Sequence, residues 1–332
     1  MATVRIFRPL ILIGIFSLMI SGNGISQTIR EKLLNLASQN TSDGKVILQR
    51  AGDFEFEKFV AKKDSVSMLE DFGTVIHESC HQLNHLIANT GYFITKGIDI
   101  VAEQGPVFNS TELNKMVPKK LQTDIYRYGT YIGTPQEYLG SQVDGIYGMV
   151  DELCAYYHGT KASYELYDFY YKYRCNGYKN AGEWASYVQH VASSYFAWYE
   201  FRLFIAWYLE YAEKNHPEVY ESSMNNTRLR LAYTLIDNQY GPLVRDFNAR
   251  LEDLAKKLTA GNVTVELADY EGERSFIVRT RQTASRTSTE VYSIFSNRIR
   301  QLEELLKGDQ NAMLEKFRIK DANTENYKSF LK

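Results

Sequence analysis

The sequence predicts an α+β fold, mainly helical, with a small sheet near its front and a helical body behind it. Three observations predict this. Beyond Thr134, apolar residues recur at three- and four-residue spacing over most of the chain. Before that point, short stretches such as "KVILQR", "FEFEKFV" and "GYFITKGIDIVAE" alternate like strands around glycine turns. Alternation returns once more, after Gly261.

Taken in order, Arg5 and Arg8 precede an apolar run from Pro9 to Ile20 and the small, polar "SGNGISQ". A bilayer span needs about twenty apolar residues, so this shorter run reads as a signal peptide over 1–26, cleaved near Ser26. The chain is then exported, secreted or periplasmic. "QTIREKLLNLASQN" follows with helical spacing, and the segments at 45–60 read as strands around the Gly52-Asp53 turn. A long helix runs from Ser65 to about 89. A hairpin over 92–103 turns at Lys96-Gly97, and a polar loop holds Pro106 and Pro118. Helices are expected near 136–158, 161–174, 181–214 and 227–259. "VTVELADYEGERSFIVRTR" reads as two strands and "TSTEVYSIFSNRIRQLEELLKGD" as a helix with a Thr/Ser start and a Gly stop. This divides the mature chain into a main domain over 27–260 and a strand-helix extension over 261–332.

Composition removes several function classes. The formal net charge is −2 and no basic block occurs, which argues against nucleic acid as a partner. The most apolar later stretch, "SSYFAWYEFRLFIAWYLEYA", is interrupted by Glu200 and Arg202, so it reads as a buried helix and no stable membrane span remains after signal cleavage. Cys80, Cys154 and Cys175 are too few for a disulfide scaffold; a Cys154–Cys175 bridge and buried free thiols are both open. The 25 tyrosines fit packing in a thick amphipathic core, with an aromatic wall along a sugar or peptide groove as the sharper alternative.

The stretch that carries chemistry is "DFGTVIHESCHQLNH", residues 71–85. On a helix, His77 and His81 project from one face about 6 Å apart along the axis, close enough to grip one ion. Glu78 points one residue round, unsuited as a third ligand yet able to reach a water at the ion's open position. Two histidines, a third protein group and a water are the parts of a zinc hydrolase. Zinc lowers the pKa of such a water to about 7, and a glutamate can take its proton. Phe72, Val75, Ile76, Cys80 and Leu83 give the helix an apolar face to pack on. A satisfied pair of core histidines is the plain alternative.

"HESCH" resembles the HExxH motif of the zincin metallopeptidases. That resemblance implies a zincin-like catalytic domain, His77 and His81 as ligands of Zn²⁺, and Glu78 as general base. Metzincins add a third histidine, but positions 84 and 87 are Asn and Ile here. His85 lies about 12 Å along the helix from His77 and cannot replace it. The gluzincin branch draws its third ligand from a glutamate on a later helix, and the best match is Glu152 in "GMVDELCAYYHG", with Asp151 facing elsewhere. A carboxylate on an apolar stripe must be paired or bound to metal. Glu165 and Glu200 share that property and stay open as rivals.

For the oxyanion formed when an amide is attacked, His190 is one candidate donor, with Tyr156 and Tyr157 as others. His158 is expected to cap the end of the Glu152 helix. Zincins pair extended substrate with an edge strand, a role the strands at 45–60 fit, while the hairpin would form a flap. The implied function is an exported zinc metallopeptidase acting on peptides or proteins. The alternative is an extracytoplasmic binding or scaffold protein that keeps the shape without turnover.

Overall fold

The computed structural model describes residues 28–62 and 65–322, so the expected signal peptide lies outside the described residues. The chain forms helices α1 (Ile29–Asn40), α2 (Gly44–Arg50), α3 (Ser65–Glu70) and α4 (Phe72–Ile87) before its first strands, β1 (Gly91–Thr95) and β2 (Ile98–Val101). Short helices α5 (Lys119–Asp124) and α6 (Gly140–Val143) lead to the main body. There stand α7 (Gly145–Glu165), α8 (Tyr167–Phe169), α9 (Ala181–Tyr195), α10 (Ala197–Asn215), α11 (Pro217–Asn225) and α12 (Thr227–Leu258). Strands β3 (Val263–Tyr270), β4 (Glu273–Thr283) and β5 (Arg286–Ser293) and helices α13 (Ser296–Leu305) and α14 (Asp309–Phe317) complete the chain. Among the described residues no helix is long and apolar enough to cross a membrane.

The fold is thus mainly helical α+β, as expected, but its strands sit elsewhere. The segment expected as the first strand is α2, because Gly44, Ile47 and Leu48 are buried at helical, not alternating, spacing. "FEKF" within the second forms a 3₁₀ turn, Phe56–Phe59. No strand precedes the histidine helix among the described residues. The long helix expected from Ser65 is interrupted at Asp71, whose carboxylate accepts the Ala61 N–H at 2.8 Å. Within 161–174 the chain is broken at Leu166, and residues Tyr170–Arg174 form a π-helical turn.

Two antiparallel sheets are present among the described residues. In the hairpin, Tyr92 pairs with Ile100 and Phe93 with Asp99. Tyr92, Phe93 and Ile94 are all buried, so this is a packed element and not a flap. Its free edge is engaged too: the Phe93 N–H donates to Asn84 Oδ1, while Cys154 and His158 approach the Phe93 carbonyl. The second sheet has three strands where two were expected, with Phe276 of β4 opposite Leu267 and Tyr292. The Thr/Ser run read as a helix start is β5.

The helical core explains the apolar 193–212 stretch. In α10, Leu203, Phe204, Ile205, Ala206, Tyr208 and Leu209 are all buried, which places apolar side chains around the whole helix circumference. Capping fixes several starts by satisfying orphan N–H groups. Asn226 Oδ1 accepts the Leu229 N–H at 3.0 Å to begin α12, and Asn180 Oδ1 accepts the Glu183 N–H at 3.2 Å to begin α9.

Helices α4 and α7 are the pair that builds the site. Gly73 lies against Gly159, His77 against Tyr156, and His81 and Asn84 against Asp151. Numbers rise on one helix as they fall on the other, so the two run antiparallel. A Cβ on Gly159 would lie 2.7 Å from the Gly73 carbonyl oxygen, and one on Gly73 would lie 3.2 Å from the Gly159 oxygen. Gly159 leaves no room for a Cβ at this approach, and Gly73 leaves little.

Candidate metal centre

His77 and His81 present Nε2 atoms 3.1 Å apart. Glu152 reaches them from α7: its Oε2 lies 3.4 Å from His81 Nε2 and 3.7 Å from His77 Nε2. Tetrahedral zinc with ligands at 2.0–2.1 Å puts neighbouring donor atoms about 3.3 Å apart, so all three separations fit one ion. Glu152 is 6% exposed and its Oε2, buried, makes no hydrogen bond. A buried carboxylate oxygen left so is costly unless a cation serves it.

The rivals are occupied elsewhere. Glu165, at the end of α7, accepts from the Ser42 N–H at 2.9 Å and the Ser42 hydroxyl at 2.7 Å. Glu200 pairs with Arg127: Nη1 donates to Oε2 at 2.7 Å and the Arg127 N–H to Oε1 at 3.0 Å. Among the described residues neither belongs to a group of potential metal donors, whereas His77, His81 and Glu152 do.

Two supporting residues were not expected. Asp151 does not face elsewhere: its Oδ2 lies 2.5 Å from His81 Nδ1, and its Oδ1 accepts from Asn84 Nδ2 at 2.6 Å. Asn84 Oδ1 in turn accepts the Phe93 N–H at 2.7 Å. This chain of bonds runs from β1 through α4 to α7 and fixes the His81 ring with its proton on Nδ1, leaving Nε2 for an ion. Asn84, one helical turn beyond Cys80 and buried, carried a signal, since a buried amide inside a helix needs partners. Asp151 carried none beyond standing next to Glu152.

The two imidazoles are electrostatically unlike. Burial, then the nearby His81 and Arg127, hold His77 well below the usual histidine range. Burial works against a charge on His81 as well, but Asp151 and Glu152 outweigh it and raise that ring well above the usual range. For Glu78, burial raises the carboxyl, His81 opposes this and the Glu152 charge adds to it.

A cleft of about 160 Å³ opens beside His77 and is bordered by Glu78, Tyr131, Tyr156 and His190. Every residue bordering it is helical, from α3, α4, α7, α9 and the π-helical turn Gly129–Gly133 that carries Tyr131. A larger cavity of about 530 Å³, near Tyr195, Arg274 and Glu303, is lined by neither histidine nor cysteine.

No family model, curated protein or solved structure matches this chain.

His190 does reach the cleft. Its Nδ1 lies 3.1 Å from the Tyr170 hydroxyl, and burial drives the imidazole down to about 4, so it is neutral at pH 7. With Tyr170 donating to Nδ1, the remaining proton sits on Nε2. Tyr156 is closer to the ligands: its ring packs edge-on to His77 at 4.4 Å and its hydroxyl pairs with that of Tyr131 at 2.9 Å. Tyr157 turns away to donate to Gln239 at 3.1 Å. His158 is not a helix cap; it is buried within α7, with Nε2 at 2.9 Å from the Phe93 carbonyl. His85 is exposed at the far end of α4. The three cysteines are free and buried, and the cysteine beside Cys154 is Cys80, with sulfurs 4.0 Å apart, not Cys175.

Proposed function

We propose that this chain is an exported zinc-dependent peptidase with a zincin-type site, hydrolysing peptide bonds with Glu78 as general base. The observation that carries the reading is the convergence of His77 Nε2, His81 Nε2 and the unbonded Glu152 Oε2 within 3.7 Å of one another. Two imidazoles, with His81 giving up its Nε2 proton to the ion, and one carboxylate are a ligand set that suits Zn²⁺ and leaves a fourth position for water or substrate. Bound there, the ion would act as a Lewis acid on a carbonyl oxygen and make water acidic enough to attack near pH 7.

The remaining work falls to the chain's own groups. Glu78 stands in the cleft beside His77, where partial burial favours its taking up a proton, as a base that later returns the proton to the departing amine must do. Asp151 and Asn84 hold His81 in one tautomer. The Tyr131 and Tyr156 hydroxyls and the His190 Nε2–H border the same cleft and supply neutral donors for the oxygen that gains charge during attack. Burial raises the Tyr131 hydroxyl well above the usual tyrosine range, so it remains a donor throughout.

One observation favours a second reading, metal-dependent binding without turnover. Zincin clefts pair substrate with a strand edge, and here only helices border the cleft. Digestion of a broad peptide library with and without a chelator separates the two. Chelator-sensitive cleavage that vanishes in Glu78→Gln supports the peptidase; metal binding with no cleavage of any library member supports the second reading.

A further inference from the structure

Cys80 and Cys154 sit on the two helices that carry the histidine–glutamate cluster, yet its chemistry uses neither. Their sulfurs are 4.0 Å apart and both side chains are fully buried. His158, one helical turn beyond Cys154, brings a nitrogen to the same place, so that one donor atom from each of the three residues lies within 4.8 Å of the others. The Phe93 carbonyl oxygen is 2.9 Å from His158 Nε2 and 3.1 Å from Cys154 Sγ. We propose that Cys80, Cys154 and His158, with the Phe93 carbonyl oxygen as fourth donor, form a second, structural metal site that takes a thiophilic divalent ion of the zinc class.

Distance favours a metal over a disulfide. Zinc–sulfur bonds of 2.3 Å in a tetrahedron place two sulfurs about 3.8 Å apart, close to what is found. A disulfide needs about 2.0 Å and would require the two packed helices to close by the difference. Charge favours it too: two thiolates neutralise a divalent ion, so the assembled site carries no net charge into a fully buried place. Softness matches, because thiolate with imidazole selects zinc-class ions over calcium or magnesium.

A carboxylate stands on the far side of the imidazole. His158 Nδ1 is buried without a hydrogen-bond partner, and Asp43 Oδ2 lies 4.0 Å away. Asp43 is itself held by the Thr95 hydroxyl at 2.9 Å, the Lys96 N–H at 3.1 Å and the Lys161 ammonium. An ion on Nε2 would put the ring proton on Nδ1, the side that faces Asp43, although at 4.0 Å that carboxylate does not bond the ring directly as Asp151 bonds His81. Without an ion, the Phe93 oxygen accepts from His158 Nε2 at 2.9 Å and from the Cys154 thiol at 3.1 Å, so metal binding would displace both of these protons from the one place.

This site shares no ligand with the proposed catalytic centre, and one experiment separates their fates. The full mature chain is stripped of metal under reducing, anaerobic conditions and titrated with Co²⁺. Only cysteine ligands give an intense thiolate-to-cobalt charge-transfer band in the near ultraviolet; a His₂Glu site cannot. The expected result is two Co²⁺ bound per chain, with the band saturating at one equivalent, retained in His81→Ala and lost in Cys154→Ser. Should Cys154→Ser fail to fold, the band in the unsubstituted chain and in His81→Ala still decides. Absence of the band with titratable free thiols overturns the proposal, as does a Cys80–Cys154 disulfide in the protein purified without reductant. Loss of the thiolate-free equivalent alone counts against the peptidase reading and leaves this one standing.

Discussion

Asp151 Oδ2 lies 2.5 Å from His81 Nδ1, and the same carboxylate is held on its other oxygen by Asn84. The orientation of one candidate ligand therefore depends on a residue that touches no ion. In Asp151→Asn the charge-assisted bond is lost and the ring can take the wrong tautomer. Zinc affinity should fall about 10- to 100-fold with the fold intact, measured by competition with a chromophoric chelator. Unchanged affinity would mean that Asp151 merely fills space.

Glu78 is placed to move a proton and not to bind. Glu78→Gln keeps size and hydrogen bonding but cannot accept a proton, so peptide hydrolysis should drop by at least about 100-fold while metal content stays as in the unsubstituted chain. Parallel loss of metal would move Glu78 from base to ligand support.

The Gly73–Gly159 crossing sets how closely α4 and α7 approach. In Gly159→Ala the new methyl would meet the Gly73 carbonyl oxygen at 2.7 Å, and backbone cannot yield as a side chain can. Separating the helices should cost about 1–3 kcal/mol, lower the melting temperature by several degrees and weaken zinc binding, because the ligands come from both sides of the crossing. Calorimetry and metal titration on the same variant check this; a melting temperature and affinity like those of the parent would contradict it.

His190 links the cleft to stability. Its folded-state value of about 4 lies below the ordinary 6.5, so between these limits the unfolded chain binds the extra proton. Stability contributed by keeping the ring neutral is complete above pH 6.5 and is lost as pH falls toward 4, by about 3 kcal/mol in total. Denaturant titrations across that window should show the slope in the parent and a shallower one in His190→Gln. Equal slopes would place the pH dependence elsewhere.

What was legible in the sequence follows from how local each feature is. His77, Glu78 and His81 share one helical turn, so their spacing alone sets their geometry, and the structure keeps it. Glu152, Glu165 and Glu200 looked alike because each interrupts an apolar stripe; only tertiary partners, Ser42 for one and Arg127 for another, tell them apart. Asp151 was misread for the same reason. The strands expected at 45–60 failed because the run of Val46, Ile47 and Leu48 suits a buried strand as well as a helix, and packing on α4 decided for the helix. Strand β5 was hidden by its Thr/Ser content, which also marks helix starts.

Metal content of the purified protein, set beside Glu152→Gln, Glu165→Gln and Glu200→Gln, bears most directly on the His77–His81–Glu152 cluster. Zinc should be present in the parent, with its affinity reduced by orders of magnitude only in Glu152→Gln and retained in the other two. Glu200→Gln should still be the least stable, by about 3–5 kcal/mol, because it leaves Arg127 buried and unpaired. Zinc held undiminished by Glu152→Gln, or a parent chain that binds no zinc at His77 and His81, would contradict this ligand assignment.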